Sequence, residues 1–295
     1  MVVLFWIIVN MILSMANYGL VKCVQKGVRQ SFSHIVCINL INSILACLVF
    51  YIMGKFLIVA DRYILGYGIV FSLFVTTCII MQIIMYSKVS VAFTSLLTTC
   101  GTIITSIVYG VIVLGEPFSW QLAVAAVLLL IAAILPCRKM ISAKSGISTV
   151  VLCIIWFAIW GVRAIFQKLY STDPMLTDHN SMFFFTNVFS IVWSLLLIAF
   201  CFFKQGKQEI TDMLKVVFKP KVILPLAANN IPGNLITIVA VILNQLLPLS
   251  VYSIVSSSTI LIGSALLSVC VFKEKLDRDN YIALILAIIA IILKH

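Results

Sequence analysis

Ten apolar runs, each about the length needed to cross a bilayer, recur through this chain with only short connections between them. They cover residues 2–21, 31–53, 62–86, 89–114, 117–136, 147–169, 180–203, 221–243, 249–272 and 279–294. A helix rises 1.5 Å per residue, so about 20 apolar residues cross the ~30 Å hydrocarbon core. With 63% hydrophobic and 10% charged residues, the chain could not present an ordinary water-soluble surface. Lipid cannot satisfy open backbone groups, which leaves helices or closed barrels. A barrel strand would alternate over about ten residues, and these runs are continuous. The expected fold class is an all-α polytopic membrane protein with ten transmembrane helices. The first run opens at Val2 without a basic region or evident cleavage site, and reads as a retained helix.

The net charge of +11 does not point to nucleic acid. Nineteen of the 20 Lys and Arg residues fall in connections or at span ends, where they set orientation. Connections 1–2, 3–4, 5–6, 7–8 and 9–10 carry 15 of them. The opposite side carries four: Lys55, Arg62, Lys168 and Lys294. The odd-numbered connections are therefore expected in the cytoplasm and both termini outside. The nine cysteines show no ligand spacing and read as free packing residues. His34, His179 and His295 are scattered. No metal or other cofactor is implied.

Residues 88–136 and 248–293 read as one piece written twice. K-V-S-V-A-F-T-S and L-G-E-P-F in the first copy match P-L-S-V-Y-S-I-V and F-K-E-K-L in the second. Asn17 falls opposite Arg163 and Lys22 opposite Lys168, 146 residues on. Glu116 falls opposite Glu274, 158 residues on. The drift of 12 fits the long 7–8 connection, K-Q-G-K-Q-E-I-T-D-M-L-K. Two repeats follow, 1–136 and 147–295. With five helices each, the second must enter the membrane from the opposite side, which makes them inverted-topology repeats.

The run L-G-E-P-F-S-W-Q-L-A-V-A-A-V-L-L-L-I-A-A-I-L at 114–135, its weaker echo at 271–293 and I-W-F-A-I-W-G-V-R-A-I-F-Q-K at 155–168 resemble the ten-helix drug/metabolite transporter superfamily, and within it the EamA-like transporters. The resemblance covers essentially the whole chain. It implies two five-helix repeats, alternating access, and helices 4 and 9 near the pseudo-twofold axis. Two positions depart from the family pattern: Lys273 and Met15 stand where glycine is usual.

Arg163 is the sharpest candidate for chemistry, because an ionisable group within a span is costly and marks function by default. The alternative is a guanidinium that snorkels to the surface. Trp156, Trp160, Arg163 and Gln167 recur on one helical face. The matching face of helix 1 carries Asn10, Ser14 and Asn17. An inward arginine between aromatic rings suits a carboxylate with an apolar body. Pro232 and Gly233 are expected to kink or break helix 8 beside Asn229, Asn230 and Asn234, exposing polar groups to a ligand. Ser256, Ser257, Ser258 and Thr259, with Thr94, Ser95, Thr98 and Thr99, are small hydroxyl residues that suit close packing or a cavity wall. Gln82, Tyr86, Asn39, Asn42 and Asn187 add polar positions of open facing. Glu116 and Glu274 each open a closing helix, as dipole caps or end-of-helix hinges on opposite membrane faces.

All nine carboxylates lie in connections or at span ends, which favours facilitated diffusion or exchange over tight proton coupling. The leading expectation is a secondary transporter exporting a small polar metabolite, an amino acid or related carboxylate. The alternative is an organic cation, a quaternary amine or a drug moved through the same fold. A membrane enzyme should show clustered His or Asp, and none is evident. The small-molecule substrate and the lipid bilayer are the expected partners, in a bacterial cytoplasmic membrane. Monomer and homodimer stay open.

Overall fold

The structure is a computed structural model that describes residues 2–28, 31–113, 115, 120–142, 146–176, 178–205, 211, 214–249, 252–253, 256, 260, 263–264, 267–273 and 278–292. Among these residues there are helices and no strand. The helices are α1 (Val2–Gly27), α2 (Phe32–Met53), α3 (Arg62–Lys88), α4 (Val91–Ile112), α5 (Trp120–Ser142), α6 (Gly146–Thr172), α7 (His179–Gln205), α8 (Pro220–Leu246) and α9 (Arg278–Ile292). A π-helical turn at Leu267–Val271 precedes α9. Seven helices, α1 to α4 and α6 to α8, are long and apolar enough to cross a membrane. That is the architecture of a multi-pass membrane protein. The expected fifth and tenth spans correspond to α5 and α9. Of the ninth (249–272), 11 of the 24 residues lie outside the described ones, Ser257 among them, as do Glu116 and Glu274.

The chain divides into two compact units. Unit 1 comprises Met1–Met15, Lys88–Thr172 and Val239–His295; unit 2 comprises Ala16–Ser87 and Asp173–Ile238. In unit 1, α4 packs on α6 and α5, and α5 on α9. Small residues set the α4–α6 distance: a Cβ built on Gly161 would lie 2.9 Å from the Thr105 Cβ, and one on Gly101 would strike the Phe157 carbonyl. Such close backbone approach is the usual way lipid-embedded helices gain contact, because burial from lipid supplies no hydrophobic drive.

In unit 2, α2 packs on α7. Asn39 Nδ2 donates to Ser194 Oγ at 2.8 Å. Thr76 Oγ1 donates to Ser190 Oγ at 3.0 Å, and the Trp193 indole donates to Ser72 Oγ at 2.9 Å. A core of Val24, Ile35, Val36, Ile38, Ile80, Ile83, Val217 and Val222 closes one end. Asn187 bonds its own helix at the Phe183 carbonyl. Cys23, Cys37, Cys47, Cys78, Cys100, Cys153, Cys201 and Cys270 are in no disulfide.

Two lysines correct the charge reading. Lys22 and Lys168 stand inside helices. Lys22 is buried and donates to the Tyr86 carbonyl at 2.7 Å, at the end of α3. Lys168 donates to the Asn244 and Leu247 carbonyls at 2.8 and 3.3 Å, at the end of α8. Each neutralises the orphan carbonyls and negative dipole end of a neighbouring helix. One residue leaves each side of the orientation count, so the asymmetry stands.

Of the kink or break expected in helix 8, the break is absent: α8 runs unbroken from Pro220 to Leu246 with Pro225 and Pro232 inside it. Two of its asparagines bond back to its own carbonyls. Asn230 Nδ2 donates to the Leu226 carbonyl at 3.0 Å and Asn234 Nδ2 to the Asn230 carbonyl at 2.7 Å. The backbone donor that Pro232 lacks would have met the Ala228 carbonyl, four residues back, so these amides bond other carbonyls of the helix than the one the proline leaves.

Candidate functional site

The α6 stripe places four sequence-predicted residues in unit 1. Trp156 is fully buried, and its indole donates to Thr98 Oγ1 at 3.0 Å and to the Thr94 carbonyl at 3.3 Å. Trp160 meets Trp156 edge-on, ring centroids 5.6 Å apart. The Arg163 guanidinium lies over the Trp160 ring, 4.5 Å from its centroid. That contact contributes about 2 kcal/mol where water is excluded. Gln167 and Ser256 hydrogen-bond the buried Tyr252 phenol. Asn10 Nδ2 donates to Ser256 Oγ at 3.3 Å, and Ser14 is buried on the next turn of α1. Gly263 receives Met15: a Cβ there would lie 2.6 Å from the Met15 Cγ.

Two further residues belong to this cluster. Tyr170 is fully buried, and the Arg163 charge acts on both the Tyr170 and Tyr252 phenols. Tyr170 is one step further along the same face, seven residues from Arg163, so helical periodicity could have found it. Tyr252 is linked to the stripe only through tertiary contact, and no local pattern signals it. The Trp160 indole N–H is buried and has no hydrogen-bond partner among the described residues. A buried donor without a partner costs about 1–3 kcal/mol, so a ligand acceptor beside it would bind with advantage. The site thus combines a fixed cation, an open N–H donor and three phenol or indole faces, with Gln167 and Asn10 amides at its edge. Chemically, it can hold a carboxylate against an aromatic-walled body.

The remaining candidates fall in unit 2. Asn17 Nδ2 donates to Asn229 Oδ1 at 3.1 Å. Gly233 accepts this crossing, because a Cβ there would lie 3.0 Å from Asn17 Nδ2. Asn230 Nδ2 also donates to Asn42 Oδ1 at 3.2 Å. Gln82 Nε2 donates to the buried Tyr86 hydroxyl at 3.0 Å, and Lys22 lies 5.7 Å from the Tyr86 ring centroid. These side chains are engaged in joining α1, α2, α3 and α8. The structure therefore groups Arg163, Trp160, Trp156, Asn10 and Ser14 with one another, and Asn17, Gln82, Tyr86, Asn230, Asn234, Pro232 and Gly233 with one another.

No protein-family model matches the sequence, and no curated protein matches it. In shape it is similar to a protein solved as a crystal structure, with a TM-score of 0.61 at 13% identity. The match covers 97% of this chain and 96% of that one. At that identity the likeness concerns the fold alone.

Proposed function

We propose that the chain is a secondary transporter of the EamA-like drug/metabolite kind, built as two inverted five-helix repeats. The observation that carries this reading is a set of paired contacts obeying the two sequence offsets, 146 and 158. Trp156 bonds Thr98, and their register mates Asn10 and Ser256 bond each other. Gly161 abuts Thr105, and the mates Met15 and Gly263 abut each other. Lys168 caps at Asn244, and the mates Lys22 and Tyr86 form the same cap. Gly115 and Lys273, also mates, both have positive φ, 66° and 52°. The mated helices α2 and α7 pack on each other, as do α5 and α9. Three matched contacts and a matched backbone conformation are not a product of apolar composition. An inverted repeat supplies two interchangeable conformations, which alternating access requires.

The substrate in this reading is an amino acid or related carboxylate, held by Arg163 and the Trp160 N–H, with Trp160, Tyr170 and Tyr252 around its body. Arg163 breaks the repeat's symmetry, standing where the first half has Asn17. The direction is export. The organic-cation alternative keeps the ring faces but sets a cation beside the Arg163 charge, a like-charge contact that costs energy. Flux into proteoliposomes decides between them. Arg163→Ala should lower carboxylate transport about 10–100-fold, the loss of a charge-assisted contact, and leave quaternary-amine flux no lower. Unchanged carboxylate flux would sink the role of Arg163.

A further inference from the structure

The connection into α8 forms a short amphipathic corner at one end of unit 2. Val217 and Val222 are its anchors, fully buried in the core with Val24, Val28 and Ile35. Between and before them, the described side chains that face outward are lysines and large apolar groups, with Thr211 and Pro220 beside them. Lys215, Lys219 and Lys221 are exposed, and so are Leu214 and Phe218, the latter 61% exposed. The local backbone is wound as turns: the Phe218 N–H bonds the Leu214 carbonyl, and the Lys219 N–H bonds the Val216 carbonyl. Four-residue spacing therefore sets Leu214 and Phe218 on one strip and Lys215 and Lys219 on the strip beside it. The end of α1 joins them: a Cβ on Gly27 would lie 3.1 Å from the Lys221 carbonyl, and exposed Lys26 is its neighbour. Across 204–221 the sequence carries five lysines against Glu209 and Asp212.

We propose that this corner binds the phosphate headgroups of anionic phospholipid. Leu214 and Phe218 enter the acyl boundary, while Lys26, Lys215, Lys219 and Lys221 meet the headgroups. Basic residues beside a membrane surface are drawn to an anionic leaflet, and apolar residues on the adjacent strip fix the depth. The charge asymmetry that orients the chain puts this connection on the cytoplasmic side, where basic connections accumulate. The corner is remote in sequence from the Arg163 cluster and belongs to the other unit, so this inference stands or falls apart from the transport reading.

The test uses the purified full chain in neutral detergent and its thermal unfolding. Added phosphatidylglycerol should raise the melting temperature of the wild type by several degrees; phosphatidylcholine and inorganic phosphate should not. The K215Q/K219Q/K221Q variant should melt with the wild type in phosphatidylcholine and lose most of the phosphatidylglycerol shift. An equal shift from phosphatidylcholine, an equal shift from inorganic phosphate, or a full shift in the variant each overturns the proposal. Should the variant fail to fold, native mass spectrometry of the wild type in mixed lipid decides: preferential retention of phosphatidylglycerol supports the site, and equal retention refutes it.

Discussion

Lys273 occupies a backbone conformation that ordinarily belongs to glycine. Its φ of 52° places the side chain against the following carbonyl, at a cost of about 1 kcal/mol for a residue with a Cβ. Its register mate is Gly115, φ 66°, for which that conformation is free. Lys273→Gly should therefore stabilise the protein by about 1 kcal/mol, read as a higher melting temperature, with Gly115→Ala lowering it by a similar amount. Asp173 makes a second prediction. The Tyr67 hydroxyl donates to Asp173 Oδ2 at 2.6 Å and the Met175 N–H to Oδ1 at 2.9 Å. These bonds, the Tyr67 bond first, hold the carboxyl below its ordinary pKa. A depressed carboxylate contributes stability that is present above its unfolded pKa, about 3.9, and is lost as pH falls through the folded value. The stability gap between wild type and Tyr67→Phe should thus be constant near neutrality and close only below about pH 4. Melting curves at stepped pH check it; a gap that closes near pH 6 would implicate another group. At this scale the sequence was half legible. The α6 stripe is periodic and readable through Arg163 to Tyr170, because one helix writes it. Tyr252 and Ser256 reach the same site across about a third of the chain, and no spacing rule records that contact. Lys22 and Lys168 read as orientation-setting charges at span ends, because a lysine that caps a neighbouring helix is recognisable only by the helix end it meets.

Among elements, hydropathy located all nine described helices but cut several of them short. Apolar runs end at 21, 86, 169 and 243, whereas the helices end at Gly27, Lys88, Thr172 and Leu246. Hydropathy stops where charge begins, while backbone hydrogen bonding continues through the interface. The α8 proline was readable as a residue but could not tell a kink from a break, and α8 runs continuous through it. The two mated crossings carry the element-scale prediction. At α4–α6, Gly161 faces the β-branched Thr105, a side chain with little freedom at χ1. At the α1 crossing, Gly263 faces Met15, unbranched and adaptable. Gly161→Ala should then destabilise by about 1–3 kcal/mol, the usual cost of overpacking. Gly263→Ala should cost clearly less, because the Met15 stem can move aside. Thermal or denaturant unfolding of the two variants measures the difference. Equal losses would mean that both crossings are equally rigid, contrary to their side-chain chemistry.

For the whole molecule, the proposed inverted repeat requires its two halves to enter the membrane from opposite sides. The lysine and arginine count would set the odd connections in the cytoplasm, and one structural fact agrees with that parity. The end of α1 abuts the start of α8 at Gly27 and Lys221–Val222, so connections 1–2 and 7–8 share a face. A direct repeat of even helix number would keep Val113, just past α4, on the same side as Arg278, which opens α9. An inverted repeat of five helices puts them on opposite sides. Both side chains are exposed, so single cysteines at either can be reached by a membrane-impermeant maleimide in a cysteine-free background. Val113→Cys should label only from outside and Arg278→Cys only from the cytoplasmic face, with Lys219→Cys following Arg278→Cys. The alternating pattern depends on an odd number of crossings between 113 and 278. Labelling of both from one side would therefore remove the inverted repeat, and with it the two-conformation argument for transport. Labelling of each from both sides would instead mean that the chain inserts in two orientations, which the charge asymmetry of the connections argues against.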